Sequence, residues 1–161
     1  MGIKGAMMAV SSKVDFFVSY NSADESWAEW ITWTLEEAGY TTVMQSWDFR
    51  PGGNFVMEMQ RALEYAERLV AVLSDEFLAA SFTQPEWAAV FAADPQGLRR
   101  ALVPVMVRQC QPAGLLSTII HIKVYGMDEN SARNRLIDGV RPGRVKPGHR
   151  PSFPGTATIT P

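Results

Sequence analysis

Five short apolar runs occur between residues 14 and 124, and most of them are separated by stretches long enough to hold a helix. The runs are VDFFVS (14–19), YTTVMQ (40–45), RLVAVLS (68–74), ALVPVMV (101–107) and TIIHIKV (118–124). Continuous apolar runs of this kind are typical of strands covered on both faces. Strands that alternate with helical stretches indicate right-handed crossovers and a parallel sheet. We therefore predict an α/β domain: a flavodoxin-like five-stranded parallel sheet, order 2-1-3-4-5, with helices on both faces.

Helical patterns fill the gaps between the runs. Ser22 and Glu25 have the spacing of a capping box, and Gly39 is placed to end the helix that follows. Asn54 is a good N-cap for a second helix. The predicted apolar faces of these two helices are Trp27, Trp30, Ile31, Thr34, Leu35 and Ala38 in the first, and Phe55, Val56, Met59, Ala62, Leu63 and Ala66 in the second. Helical patterns also cover 75–93, interrupted by Pro85, and 128–140.

The length and the distribution of proline predict one folded domain with two flanking segments. A chain of 161 residues is of ordinary size for a single domain. We expect a disordered leader over 1–12, the domain over 13–140, and a basic Pro/Gly-rich linker or tail over 141–161. From residue 139 onward the chain holds five of its ten prolines, four basic residues and no acidic residue. Such a composition favours a solvated tether over a packed element.

Composition excludes several classes of function. The chain is 47% hydrophobic and 20% charged, as expected of a soluble globular protein, and its net charge of −2 argues against a nucleic-acid partner. Cys110 is the only cysteine, and with His121 and His149 it forms no cluster of metal-ligand spacing. The apolar run near the N-terminus is too short to span a membrane. We expect a cytoplasmic protein with no metal, no cofactor and no membrane partner.

The predicted fold places a ligand crevice at the carboxyl ends of the strands, where the strand order reverses. The segments that flank it are Tyr20-Asn21-Ser22 and the stretch from Ser74 to Glu86. The loop QSWDFRPGGNF, residues 45–55, would overhang this crevice. Because Pro51-Gly52-Gly53 is a turn signal, Trp47 and Phe49 are expected to face the surface. No P-loop or G-x-G-x-x-G is present.

Four motifs occur in order at fitting spacing: DFFVSYNSAD, WDFRPGG, LVAVLS and SFTQPEW. Together they resemble the TIR (Toll/interleukin-1 receptor) domain, particularly its bacterial form, over residues 14 to about 140. The resemblance implies that the WDFRPGG loop mediates contacts between TIR domains and borders a nucleotide pocket. It also implies one of two roles: a module that only assembles, or an enzyme that cleaves the bond between nicotinamide and ribose in NAD+.

For the enzymatic role the resemblance implies that Glu86 is the catalytic glutamate and that NAD+ is a substrate. The bacterial pattern Ser-Trp-Cys-x-x-Glu is here Ser81-Phe82-Thr83-Gln84-Pro85-Glu86, so an aromatic residue is kept and the cysteine is lost. Thr83 and Glu86 also have capping-box spacing, so Glu86 could cap a helix as well as act in catalysis. The alternatives are a non-catalytic assembly and signalling module, or a virulence factor that mimics host TIR domains.

The remaining candidate residues surround the same crevice. Those predicted to bind substrate are Tyr20, Asn21, Trp47, Asp48, Arg50, Gly52, Ser74 and Phe82. Those predicted to form the interface between copies are Trp33, Trp47, Phe49, Arg50, Pro51, Gly52 and Gly53. Four of them have a plainer alternative: Tyr20 as a half-buried tyrosine, Trp47 as a loop anchor, and Asp48 and Arg50 as a surface pair. Expected partners are NAD+, further copies of the domain and other domains of a longer parent, which we expect to be an antiphage immune protein.

Overall fold

A computed structural model describes residues 13–80 and 86–156; of Glu86 and Trp87 it describes the backbone only. The predicted leader and Phe82 lie outside the described residues. The strands are β1 Val14–Ser19, β2 Thr42–Met44, β3 Ala66–Leu73, β4 Leu102–Met106 and β5 Ile122–Lys123. The α-helices are α1 Glu25–Glu37, α2 Gln45–Asp48, α3 Phe55–Tyr65, α4 Asp75–Ala80, α5 Glu86–Ala93 and α6 Glu129–Val140. Short 3-10 turns cover Ser22–Asp24 and Gly114–Thr118.

The five strands form one parallel sheet in the order β2-β1-β3-β4-β5, which confirms the predicted topology. In the register, Phe17 of β1 lies between Val43 of β2 and Leu69 of β3. Because every strand runs the same way, all carboxyl ends lie at one edge, called here the carboxyl edge. The opposite edge is the amino edge.

Both faces of the sheet are covered, as the continuous apolar runs predicted. Side chains alternate along each strand, so Phe16 and Val18 lie in one core cluster while Phe17 lies in the other. The first cluster packs against α1 and α6, through residues such as Ile31 and Leu136. The second packs against α3, α4 and the turn before β5, through Ala62, Phe77 and Leu116.

The start of the first helix differs from the prediction. The Ser22–Glu25 capping box does not form, because Ser22 begins a 3-10 turn. Asn21 caps that turn instead, its side chain accepting a hydrogen bond from the N–H of Ala23 at 3.0 Å. The buried face of α1 also includes Ala28 and Thr32, whereas Ala38 is exposed. Trp33 is 62% exposed, consistent with its place off the apolar stripe.

Helix α3, which is the second helix predicted from the sequence, is capped as predicted but is buried over less of its length than expected. Asn54 accepts a hydrogen bond from the N–H of Met57 at 3.0 Å. Only Ala62 is fully buried, while Phe55 and Val56 are 52% and 69% exposed. The expected apolar face was therefore wrong at its first turn, because α3 contacts the second core cluster through its later residues.

Three predicted strands are shorter than the sequence suggested, β4 by one residue at each end. Strand β2 is only Thr42–Met44, since residue 45 is the first residue of α2. Strand β5 is only Ile122–Lys123, since Gly114–Thr118 folds into a 3-10 turn. Residues 141–156 contain no helix or strand. No helix among the described residues is long and apolar enough to cross a bilayer.

Candidate active site at the carboxyl edge

Tyr20 follows β1 and links two segments of the carboxyl edge. It is half-buried, and its hydroxyl accepts a hydrogen bond from the N–H of Ser46 at 3.2 Å. The same hydroxyl donates to Glu25 Oε1 at 3.4 Å. Burial is the main cause that raises the pKa of Tyr20, so the phenol stays protonated and able to donate.

The segment after β2 contains the short helix α2, and its two aromatic side chains are partly buried. Trp47 packs against the first core cluster, on the α1 side of the sheet. Phe49 packs against the second, with its ring 6.4 Å from that of Phe17 and 5.9 Å from that of Phe55. The expectation that Trp47 and Phe49 face the surface is therefore correct only in part, because each side chain also packs against the core. The two rings contact opposite sides of the sheet, so they anchor this segment.

The tip of the loop is a tight turn over Arg50-Pro51-Gly52-Gly53. The N–H of Gly53 donates to the carbonyl of Arg50 at 3.0 Å, and Gly52 has φ +90°. Proline followed by a glycine with positive φ is the pattern of a type II turn. All four residues are exposed, as expected of residues available to a ligand or partner.

Asp48 does not pair with Arg50 among the described ion pairs. Its carboxylate instead accepts a hydrogen bond from the N–H of Met44 at 2.8 Å, at the start of α2. The residue is exposed as a whole, yet its carboxyl group is partly desolvated. That desolvation, with a smaller contribution from Glu36, raises the pKa of Asp48.

Asp24, Ser74 and Arg108 form a bonded cluster where β1, β3 and β4 end. Asp24 and Ser74 are both fully buried. The hydroxyl of Ser74 donates to Asp24 Oδ2 and accepts from the N–H of Phe77 at 3.1 Å. Arg108 Nε donates to Asp24 Oδ1 at 3.2 Å. Ser74 was expected in the crevice, but Asp24 and Arg108 were not predicted as site residues.

The sequence contained only a weak signal for this cluster. Asp24 belongs to the polar turn NSAD, where an acidic residue is ordinary. Arg108 lies 84 residues further along the chain, beyond the reach of any local pattern.

The described residues of α5, Glu86–Ala93, are helical, as the pattern over 75–93 predicted. The helix belongs to the crossover from β3 to β4, which returns the chain to the amino edge. Its last residue, Ala93, lines a cleft at that edge. Glu86 is therefore at the end of α5 that points back toward the carboxyl edge.

Two large cavities among the described residues lie at the amino edge. One of about 950 Å³ is bordered by charged residues of both signs: Lys13, Asp15, Glu67, Arg99 and Arg100. An adjoining cavity of about 620 Å³ lies around Ile122 and Arg135. Volume alone favours this edge, but buried and mutually bonded polar groups converge at the carboxyl edge, where open parallel sheets bind ligands. The described residues contain no group of three or more His, Cys, Asp or Glu suited to a metal ion.

Comparison with known proteins gives one family. A family model described as TIR domain matches residues 16–137. No curated protein sequence matches the chain.

Three solved structures illustrate the likeness of fold. A TIR domain of the Toll-related receptor TRR-2 from Hydra magnipapillata is 22% identical over 69% of this chain and 84% of that one, with a TM-score of 0.58. A TIR-STING receptor from C. gigas, solved with 2′,3′-cGAMP, is 23% identical with a TM-score of 0.65; 80% of this chain matches 40% of that one. A prokaryotic SEFIR domain is 13% identical over 86% of this chain and all of that one, with a TM-score of 0.57. Because the family model covers most of the sheet and both helical layers, the chain belongs to the TIR domain family.

Proposed function

We propose that this TIR domain is an NAD+ glycohydrolase in which Glu86 is the catalytic residue. The observation that carries the proposal is the place of Glu86 in α5, within the crossover that leaves the carboxyl edge after β3. That edge also holds Tyr20, which is bonded to Ser46, and the bonded pair of Ser74 and Asp24. Parallel sheets of this type bind ligands there.

A single carboxylate suits this reaction. Breaking the bond between C1′ of the ribose and the nicotinamide nitrogen sends the electron pair to the ring, which departs as a neutral molecule. No general acid is needed for such a leaving group. The ribose becomes oxocarbenium-like, and a carboxylate beside it stabilises the developing positive charge. Water or another acceptor then bonds to C1′ and gives up a proton.

The decisive experiment measures nicotinamide release from NAD+ at high protein concentration. We expect release by the wild-type chain and at least a 100-fold loss in Glu86→Gln, the scale on which removing one charge-stabilising group lowers turnover. Glu76→Gln is the matched control, since Glu76 is an exposed glutamate in the preceding helix α4. Thermal unfolding of all three proteins should be similar, because a cap at Glu86 would contribute about 0.5–2 kcal/mol at most.

Two outcomes would contradict the proposal. Turnover that survives in Glu86→Gln would remove the catalytic assignment. A wild-type chain that self-associates but releases no nicotinamide would favour the assembly and signalling module.

For the biological setting we propose a cytoplasmic bacterial immune protein whose TIR domain lowers cellular NAD+ during phage infection. Membership of the TIR family supports a role in immune signalling. Cellular NAD+ should fall after infection in cells with the full-length parent and stay constant in cells with its Glu86→Gln variant. A constant level in both would contradict the antiphage role, and a fall seen only on delivery into host cells would favour the virulence factor.

A further inference from the structure

Asp24 is a fully buried carboxylate at the carboxyl edge. Its side chain has no exposed area, and its two oxygens are bonded to two different residues, Ser74 and Arg108. A buried carboxylate without a partner would be costly, so these bonds are a condition for placing it there. Arg108 supplies the compensating positive charge.

The geometry of this ion pair leaves most of the Arg108 guanidinium unused. Arginine often binds carboxylates through two parallel N–H bonds. Arg108 instead contacts Asp24 through Nε alone, at 3.2 Å, while Asp24 Oδ2 accepts a hydrogen bond from the Ser74 hydroxyl. A guanidinium has five N–H donors, so four remain without a partner among the described residues.

Arg108 is also exposed to an extent that a purely structural tie does not require. Its side chain is 54% exposed, whereas Asp24 beneath it is 0% exposed. The cation is thus fixed at its inner side and open at its outer side. Fixing Nε lowers the conformational entropy that the flexible side chain would lose on binding a ligand.

The cluster lies where a ligand of this fold is expected. Asp24 follows β1, Ser74 follows β3, and β1 and β3 are the neighbouring strands at which the strand order reverses. The N–H of Asp24 donates to the carbonyl of Asn21 at 2.8 Å, which joins the cluster to the segment that begins at Tyr20. Arg108 follows β4, so the cluster spans the carboxyl ends of three neighbouring strands, β1, β3 and β4.

We propose that Arg108 binds the pyrophosphate of the dinucleotide substrate and that Asp24 is the positioning residue that orients it. A planar guanidinium with several free N–H donors matches phosphate oxygens well. Arg50, which the sequence analysis also predicts to bind substrate, is exposed in a turn and has no ion-pair partner among the described residues. The anchored arginine is the better pre-organised of the two. The identity of the substrate in this inference rests on the proposed function.

The test measures binding of ADP, which carries a pyrophosphate but no nicotinamide and no scissile bond. Titration calorimetry on the full chain should show the dissociation constant rising about 10- to 100-fold in Arg108→Gln, the loss expected for hydrogen bonds to a charged group. Arg133→Gln is the matched control, because Arg133 is similarly exposed and pairs with Glu37 at the far end of α1. It should change the constant less than twofold.

Two further measurements separate binding from folding. Arg108→Lys keeps the charge and should recover part of the affinity, and Asp24→Asn should weaken ADP binding while every Arg108 donor is still present. Affinity for adenosine, which has no phosphate, should not change in Arg108→Gln. Equal ADP affinity in wild type, Arg108→Gln and Arg108→Lys would overturn the inference, as would a wild-type chain that binds no ADP at millimolar concentration.

Kinetics distinguishes failure of this inference from failure of the proposed function. If both hold, Arg108→Gln raises KM for NAD+ about 10-fold or more and changes kcat less than about threefold. Nicotinamide release with an unchanged KM would leave the enzyme and remove Arg108 from the pyrophosphate site. If neither the wild type nor any variant releases nicotinamide but ADP affinity still depends on Arg108, the proposed reaction is wrong and the site binds a nucleoside diphosphate.

Discussion

The hydroxyl of Tyr20 accepts a hydrogen bond from the backbone N–H of Ser46 at 3.2 Å and so joins the end of β1 to the first turn of α2. The N–H groups of a first helical turn have no partner within the helix. Tyr20, which directly follows β1, supplies a hydrogen-bond acceptor for one of these N–H groups. The position of the whole segment after β2 therefore depends on a single phenolic oxygen as well as on its two aromatic anchors.

Tyr20→Phe should loosen this segment without unfolding the domain. Loss of the oxygen leaves the N–H of Ser46 to water, so we expect a loss of about 0.5–1.5 kcal/mol in unfolding free energy. Hydrogen exchange at Ser46 should become faster. Tyr125→Phe is the control, because the hydroxyl of Tyr125 has no hydrogen bond among the described residues and its ring contact with Lys123 would persist. Equal exchange at Ser46 in both variants would contradict a role for the Tyr20 oxygen.

Asp94 should make stability depend on pH in the acid range. Its carboxylate accepts hydrogen bonds from the N–H of Ala101 at 3.1 Å and of Arg99 at 3.2 Å, which close the connection before β4. These bonds, that of Ala101 first, lower the pKa of Asp94. A carboxyl group with a lowered folded-state pKa stabilises the fold above its unfolded-state pKa, and the contribution disappears as pH falls through the folded-state value.

The measurement is urea unfolding at neutral pH and at successively lower pH. Asp94→Asn should be less stable than wild type at neutral pH, and the difference should shrink as pH falls below about 4, the ordinary range for aspartate. Asp75→Asn, at an exposed aspartate that starts α4, is the control and should change the unfolding free energy little. A constant Asp94→Asn difference across the range would contradict the assignment.

The segment after α6 should contribute little to stability. Residues 141–156 have no helix or strand, and all of them are exposed. Arg141 pairs with Asp138 at 2.8 Å, and Val145 borders a cleft at the amino edge. Exposed pairs such as this one contribute about 0.2–1 kcal/mol.

A chain that ends at Lys146 should therefore melt at the same temperature as the full chain. One that ends at Val140 should melt no more than about 4 °C lower, the shift for 1 kcal/mol in a domain of this size. Calorimetry on the three chains gives the comparison. A larger drop for the chain ending at Lys146 would mean that the last residues pack against the domain.

Local patterns predicted the parts of the fold that local physics determines. The buried strand β1 and the cap at Asn54 were correct because an apolar run and one side-chain hydrogen bond are enough to specify them. Helix α2 was missed because four residues, Gln45–Asp48, are too few to show a helical period. The exposure of Val56 was missed because an apolar face on a helix does not reveal how far the sheet extends beneath it.

The candidate site shows the same division. Tyr20 and Ser74 were predicted because each directly follows a strand, and parallel topology brings such residues to one edge. The bond from Arg108 to Asp24 joins residues 84 positions apart, and nothing in either local sequence selects the other. The aromatic anchors Trp47 and Phe49 were partly misjudged because the turn signal beside them describes only the backbone of residues 50–53.

The loop–α3 surface, defined as Arg50, Pro51, Gly52, Phe55 and Val56, should control activity through self-association. All five residues are exposed. Val56 is apolar and 69% exposed. Exposed apolar patches on a protein surface mark contact sites for other proteins. A TIR enzyme that were active as a monomer would deplete the NAD+ of its own cell. We therefore expect specific activity to rise with protein concentration, with the partner's surface holding the turn in its active arrangement.

Val56→Ser should flatten that rise, because it removes apolar contact area without disturbing the core. Trp47→Ala is a less clean probe, since Trp47 also packs against the first core cluster. Gly52→Ala should have a similar effect for a different reason: at φ +90° only glycine is unstrained, so the turn would change shape. Ile120→Ser, at a residue 94% exposed beside the amino-edge cavity, is the control and should keep the wild-type dependence. Specific activity that is independent of concentration in wild type, or that rises equally in Val56→Ser, would show that activity does not depend on this surface.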